Sequence, residues 1–96
     1  MIRGDDYVLG TDVEELRRLE FQHLVWSGDA RSIWRRSGIR RGHTILDLGC
    51  GPGFTSLDLA RLVGEAGRIR ARDKCSAFLS FLRAEVDRQG LSLIHI

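Results

Sequence analysis

The chain has 96 residues, of which 43% are hydrophobic, and this suits one small domain or part of a larger one. A formal net charge of +2 is too small to imply nucleic acid or an anionic membrane as a partner, and the 15 basic residues look scattered rather than clustered. Two cysteines are too few for a disulfide framework, and neither a signal peptide nor an apolar run of membrane length is visible, so we expect a cytoplasmic protein.

The N-terminal part is predicted to be helical. A capping-box pattern over residues 11–14 places a helix start at Asp12, and apolar residues at helical spacing carry the helix to about Trp26. Ser27-Gly28-Asp29 is expected to break it, with a second helix over residues 30–37. The two tryptophans, Trp26 and Trp34, are more typical of core positions than of a substrate platform.

The stretch around which the chain is organised is a strand, a tight turn and a helix start. Residues 45–48 form an apolar run with Asp47 as its one charged break. Three glycines then alternate with Cys50 and Pro52, and the pattern becomes helical from Phe54. The glycines are Gly49, Gly51 and Gly53. Such a turn brings backbone N–H groups close to a nucleotide, because a Cβ would block the approach.

Two helices, a second strand and the start of a third strand are predicted after the glycine turn. Residues 54–63 predict a crossover helix, and residues 68–72 predict a strand parallel to the first and beside it. Ser76 is expected to cap a helix that runs to about Gln89, with Arg83, Glu85, Asp87 and Arg88 mostly outward, and residues 91–96 could open a third strand. Asp73 stands at the end of the second strand, about twenty residues beyond the glycines, where an acidic side chain can accept hydrogen bonds from ribose hydroxyls.

The D-x-G-x-G-x-G stretch from Asp47 to Gly53 resembles the first motif of class I S-adenosylmethionine-dependent methyltransferases. The resemblance implies that Asp47, Gly49, Cys50, Gly51, Gly53 and Asp73 bind S-adenosyl-L-methionine. It also implies that Tyr7, Gln22 and His23 belong to a cap over the cofactor. Each of these last three has a simpler interpretation, Tyr7 as a surface anchor and the other two as ordinary helix residues. The simpler interpretation of Asp73 is that it caps a helix.

The fold implied by this resemblance is α/β, Rossmann-like, and only its N-terminal part is expected here. Residues 1–42 would be an arm with cap helices, and residues 43–96 would be the first β-α-β-α and the start of a third parallel strand of the cofactor-binding domain. The chain would then be an incomplete fragment that is inactive by itself. Arg72 departs from the family pattern, which has an aliphatic residue there, because parallel strands are usually apolar throughout.

The implied function is methyl transfer to an acceptor, a small molecule being favoured. The sequence names no catalytic residue and no metal-ligating set, and it does not identify the oligomeric state. One alternative is an NAD(P)-binding oxidoreductase, against which stands Phe54 in place of the third glycine of G-x-G-x-x-G. Another is a nucleotide-binding module without chemistry.

Overall fold

The computed structural model describes residues 13–96, in which helices and strands alternate. The elements are α1 (Val13–Arg36), β1 (Thr44–Leu48), α2 (Phe54–Val63), β2 (Arg68–Arg72), α3 (Ser76–Gln89) and β3 (Ile94–His95). The strands form one sheet in the order β1-β2-β3, and both pairs are parallel. The predicted β-α-β-α arrangement with a third parallel strand is therefore confirmed. Tyr7 and the predicted helix start at Asp12 lie outside the described residues.

The main core lies between one face of the sheet and the helices that cross it. Ile69 and Ala71 of β2 are fully buried on this face, and Val63 of α2 and Leu82 of α3 pack against the same cluster. A smaller cluster, built on Leu16 of α1 and Phe81 of α3, attaches the N-terminal helix to this layer. Burial of these side chains holds the carboxyl ends of β1 and β2 at one edge of the sheet.

The other face of the sheet is open to solvent within residues 13–96. In register, Leu46 of β1 pairs with Arg70 of β2 and Leu48 pairs with Arg72. Leu46 and Leu48 are 55% and 72% exposed, and alternate residues of β2 leave Arg68, Arg70 and Arg72 on this face. Arg72 thus departs from the aliphatic pattern without entering the core, and its Nη1 donates a hydrogen bond to the carbonyl of Ala71 at 2.9 Å.

The predicted break in the N-terminal helix is wrong, because α1 continues through Ser27-Gly28-Asp29. A single carboxylate on α2 explains the continuity. Asp58 Oδ2 lies 2.7 Å from Nε2 of His23, before the expected break, and 3.3 Å from Nη1 of Arg31, after it. Gly28 costs a helix interior about 1 kcal/mol relative to alanine. The contacts of His23 and Arg31 with one side chain, on either side of Gly28, oppose that cost.

Several side chains lie elsewhere than their pattern indicates. Trp26 is 61% exposed and does not belong to the core, whereas Trp34 packs against the main cluster. Glu85 was predicted to lie on the outward face of α3 but is buried. Its carboxylate accepts hydrogen bonds from Arg88 and Gln89 of the same helix. The N-cap of α3 is Cys75, one position earlier than the predicted Ser76, which is the first residue of the helix. None of the helices in residues 13–96 is long and apolar enough to cross a membrane.

Candidate functional site

The glycine turn, residues 49–53, joins β1 to α2 and adopts a backbone that only glycine takes easily. The φ angles of Gly49, Gly51 and Gly53 are 69°, 57° and 90°. All three lie in the left-handed region, where a side chain costs about 1–2 kcal/mol. The prediction that these glycines stand between a strand ending near Leu48 and a helix beginning near Pro52 or Gly53 is confirmed, since β1 ends at Leu48 and α2 has Gly53 as its N-cap.

The three glycines serve different purposes in the fold. A Cβ on Gly53 would collide with Leu82 of α3, because it would be 2.8 Å from the Cδ2 atom of Leu82. The glycine therefore lets α3 pack closely against the start of α2. A Cβ on Gly49 or Gly51 would meet no protein atom within 4 Å. These two glycines therefore present bare backbone to open space above the sheet edge. That is the arrangement in which a ligand can approach the chain.

Asp73 lies just after β2 and is bonded directly to the glycine turn. Its Oδ2 accepts a hydrogen bond from the Gly51 N–H at 2.8 Å, and its Oδ1 accepts one from the Cys75 N–H at 2.8 Å. The N–H of Cys50 in turn donates to the Arg72 carbonyl at 2.9 Å, which continues the β1–β2 ladder into the turn. The ends of the two strands and the turn thus form one hydrogen-bonded unit.

These bonds favour the ionised form of Asp73. The N–H of Cys75 contributes most, followed by the N–H of Gly51, and together with that of Lys74 they outweigh burial and hold the pKa of Asp73 below its usual value of 3.8. Each carboxylate oxygen accepts one of the two short bonds from Gly51 and Cys75. Because a carboxylate oxygen has two lone pairs, Asp73 retains capacity to accept further donors.

Asp47 fixes the base of the turn. Its Oδ2 accepts a hydrogen bond from the Ser56 hydroxyl at 2.6 Å, and Ser56 is fully buried in α2. This bond ties the end of β1 to the first turn of the helix that follows. Asp47 does not line either of the cavities beside the turn. Its side chain therefore positions the turn, and the cofactor contact that the resemblance implies for Asp47 stays a prediction.

Cys50 points into the protein at the centre of the turn. It is only 8% exposed, and its Sγ donates to the Gly51 carbonyl at 3.4 Å. Burial, followed by the negative charges of Asp47 and Asp73, raises the pKa of the Cys50 thiol from 9.0 to about 11. The thiol is thus neutral at physiological pH and is not an activated nucleophile.

Two cavities meet at Gly49 and Asp73, which line both of them. The helix-side cavity, about 500 Å³, lies between the glycine turn, the first residues of α2 and the N-terminal half of α1. The sheet-side cavity, about 540 Å³, lies beyond the ends of β1 and β2 and reaches Leu79 and Arg83 of α3. Volumes of 300–1,000 Å³ are typical of sites for small ligands and cofactors.

The structure brings both predicted residues of α1 to the helix-side cavity. Gln22 is exposed along its wall, and His23 lines it as well. The Nε2 of His23 is already 2.7 Å from Asp58 Oδ2, and its ring lies 6.0 Å from that of Phe54, so His23 also attaches α1 to α2. Its structural role is visible in these contacts.

The sequence did not predict Trp26 at this site: it was assigned to the core but lines the helix-side cavity, one helical turn from Gln22. Asp58 lies outside both cavities, but it holds His23 of the cavity wall through the 2.7 Å contact and was also not predicted. It is the one acidic residue in the largely apolar sequence of α2, and that isolation is a usable signal. Within residues 13–96 no group of three or more histidine, cysteine or carboxylate side chains could hold a metal ion.

A family model describing the ubiE/COQ5 methyltransferase family matches residues 14–96, which is most of the chain and includes the whole of this site. The chain belongs to the ubiE/COQ5 methyltransferase family. Among curated relatives, the ubiquinone/menaquinone biosynthesis C-methyltransferase UbiE of Azotobacter vinelandii is 34% identical over 80 residues, covering 78% of this chain and 32% of that relative. The UbiE of Klebsiella pneumoniae is 38% identical over 64 residues, or 62% of this chain and 26% of its own length.

Solved structures agree on the fold. A SAM-dependent methyltransferase from Aquifex aeolicus superposes with a TM-score of 0.75 at 25% identity, covering 91% of this chain and 46% of its own. A protein-L-isoaspartate O-methyltransferase, with a TM-score of 0.61 at 22% identity over 65% of this chain and 20% of its own, shares the fold alone. The chain spans about a third of the length of the UbiE relatives it matches.

Proposed function

We propose that residues 43–96 form the first part of an S-adenosyl-L-methionine site in a methyltransferase whose acceptor is a small molecule. The observation that carries this proposal is the unit formed by the glycine turn and Asp73, where the Gly51 N–H lies 2.8 Å from Asp73 Oδ2. Membership of the ubiE/COQ5 methyltransferase family supports the choice of cofactor.

The geometry around this unit fits such a cofactor. Bare backbone at Gly49 and Gly51 faces open space, as a ligand that packs on the chain requires. The two cavities that share Gly49 and Asp73 extend from this point in two directions, which suits an elongated nucleoside. Neither Gly49 nor Gly51 needs to shift for a ligand to approach, because no protein atom occupies the space where their Cβ atoms would lie.

Different residues would bind different parts of the cofactor. Asp73 would accept hydrogen bonds from the ribose hydroxyls through the lone pairs left free by Gly51 and Cys75. The N-terminus of α2, which begins at Phe54 on the wall of the helix-side cavity, would favour a carboxylate there through its free N–H groups and dipole. Gln22 and Trp26 of α1 would close the same cavity from above.

When bound, S-adenosyl-L-methionine supplies a methyl group that its sulfonium already makes electrophilic. The protein then has to hold the acceptor in line with that methyl group and to exclude water, and proximity of this kind can supply about 7 kcal/mol or more. The relatives are named as C-methyltransferases of ubiquinone and menaquinone biosynthesis. We therefore propose an aromatic precursor of such a quinone as the acceptor in the whole protein, with methylation at carbon.

Methyl transfer by the whole protein tests this proposal. The protein is incubated with methyl-labelled S-adenosyl-L-methionine and one class of acceptor in each reaction. The acceptor classes are aromatic quinone precursors, phenols, amines and peptides. We expect label on a ring carbon of the quinone precursors, and less of it in the Asp73→Ala variant when S-adenosyl-L-methionine is below saturation. Label only on oxygen or nitrogen of the other acceptors would contradict the proposed acceptor. A parallel reaction contains NAD in place of S-adenosyl-L-methionine. Absence of methyl transfer together with reduction of NAD in that reaction would contradict the proposal that the protein is a methyltransferase.

A further inference from the structure

Four arginines from three segments of the chain converge on one cavity away from the glycine turn. This arginine cavity, about 330 Å³, lies between the C-terminal half of α1, the loop before β1 and the second half of α2. It is lined by Arg31, Arg35, Arg41, Asp58, Arg61 and Leu62. None of these residues lines the two cavities that meet at Asp73. Basic residues that are scattered along the sequence thus come together in part in the folded chain.

The charges of this cavity are not balanced. Four guanidinium groups stand against the single carboxylate of Asp58, a formal charge of +3. Asp58 is shared by Arg31, at 3.3 Å, and Arg61, at 3.1 Å. Arg35 and Arg41 form no ion pair with any residue in the range 13–96. Cations that converge on one space repel one another, and an anion between them would relieve that repulsion.

One of the guanidinium groups is held in place by hydrogen bonds before any ligand arrives, and a second lies close to the end of α2. Arg61 donates from Nη1 to Asp58 and from Nη2 to Gln89 of α3, both at 3.1 Å. Arg41 lies against the end of α2, where a Cβ on Gly64 would be 2.9 Å from its Nη2. The absence of a side chain on Gly64 leaves room for this guanidinium. Donors fixed in advance lose less conformational entropy on binding, which favours a specific site over a diffuse cationic surface.

We propose that the arginine cavity binds a small phosphate-bearing ligand at a site separate from that of the cofactor. Guanidinium groups bind phosphate oxygens through paired N–H donors, and several of them around one cavity suit a compact group with two or more negative charges. The half-exposed position of Arg31 and the exposed positions of Arg35 and Arg41 leave the cavity accessible from solvent. The shared chemistry is a phosphate or diphosphate group, and we assign it to a free ligand rather than to a lipid headgroup.

Inorganic pyrophosphate is the probe for this proposal. It is titrated into the ¹⁵N-labelled 96-residue chain at constant ionic strength, and the side-chain Nε–H signals of the arginines are followed by NMR. We expect saturable shifts at Arg35 and Arg41. The Arg35→Gln, Arg41→Gln double variant should bind at least about tenfold more weakly, as expected when hydrogen bonds to a charged group are lost. A matched double variant, Arg17→Gln with Arg18→Gln, loses the same charge from exposed positions of α1 and should change the affinity less than about twofold.

Each other result counts against the proposal. Equal weakening in both double variants would show general attraction to a basic protein. Shifts confined to Arg68, Arg70 and Arg72 would place the anion on the open sheet face instead. Anionic phosphatidylglycerol vesicles form a second arm, and sedimentation with vesicles that depends on Arg35 and Arg41, without binding of pyrophosphate, would assign the site to a membrane surface. If the double variant does not give a folded spectrum, Arg35→Gln alone provides the same comparison at an exposed helical position, and an unchanged affinity would overturn the proposal.

Discussion

The Gly51 N–H donates to Asp73 Oδ2 at 2.8 Å, and this one bond joins the glycine turn after β1 to the end of β2. Asp73 also receives the N–H of Cys75 at the start of α3. The same carboxylate therefore organises three segments of the chain and stands where the two cavities meet. Its structural role and its proposed role in binding are not alternatives, since a carboxylate offers about four lone-pair sites and the backbone N–H groups do not fill them all.

Replacement of Asp73 should reduce both stability and cofactor affinity. In Asp73→Ala two backbone N–H groups lose a charged acceptor, and we expect the free energy of unfolding to fall by about 1–3 kcal/mol. The free energy of binding S-adenosyl-L-methionine should weaken by a similar amount, about 1–3 kcal/mol. Denaturation with urea and calorimetric titration measure the two effects. Asp87→Ala, an exposed carboxylate on α3, is the matched control and should change neither. Equal affinity in wild type and Asp73→Ala would limit Asp73 to its structural role.

Asp73 also predicts how stability depends on pH. Its pKa is lower in the folded protein than its usual value of 3.8, so the folded state binds this proton more weakly than the unfolded state. The contribution of Asp73 to stability is therefore complete above about pH 5 and is lost as the pH falls through the lowered pKa. Unfolding measured between pH 7 and pH 2.5 should show a smaller acid-induced loss in Asp73→Asn than in wild type. Parallel curves for the two proteins would contradict this assignment.

Alanine substitutions at Gly53 and Gly49 should affect different properties, mainly stability at Gly53 and ligand binding at Gly49. Gly53→Ala places a Cβ against Leu82 at a φ of 90° and should cost about 2–4 kcal/mol of unfolding free energy. Gly49→Ala meets no protein atom, so it should cost only the backbone strain of about 1–2 kcal/mol while blocking the ligand. Gly28→Ala, in the interior of α1, should be neutral or stabilising. If Gly49→Ala binds S-adenosyl-L-methionine as well as wild type does, the open space above Gly49 is not the cofactor site.

The buried thiol of Cys50 should react slowly with alkylating reagents. Because its pKa is about 11, only about a thousandth of it is thiolate at pH 8. Cys75 is half-buried, and we expect iodoacetamide to modify it at least about tenfold faster than Cys50. Peptide mass spectrometry over a pH series, with Cys75→Ser to isolate the slower site, measures both rates. The rate at Cys50 should keep rising toward pH 11, and a plateau near pH 8 would show that burial does not raise the pKa of this thiol.

The parts of this fold that the sequence predicted are those with local signals. The bounds of α2 and β2 coincide with the predicted residues 54–63 and 68–72, because glycine turns mark their ends and apolar spacing marks their interiors. The glycine turn was predictable for the same reason. A run of alternating glycines between an apolar strand and a helix has few other uses.

The parts that were not predicted depend on contacts between distant segments. Nothing near Gly28 indicates that α1 continues, since the carboxylate that holds both of its halves is Asp58, on another helix. Likewise, the convergence of Arg31 with Arg41 and Arg61 appears only when α1 packs on α2. Local propensity is a weak prior that tertiary contacts override.

The most direct test of the central claim is an NMR titration of the ¹⁵N-labelled 96-residue chain with S-adenosyl-L-methionine, and with NAD in a parallel series. We expect saturable shifts of the backbone amides of Gly49, Gly51 and Asp73 with S-adenosyl-L-methionine. The Gly49→Ala variant should lose these shifts, and NAD should leave these amides unchanged. No saturable shift at several millimolar S-adenosyl-L-methionine, or saturable shifts of the same amides with NAD instead, would contradict the proposed cofactor site.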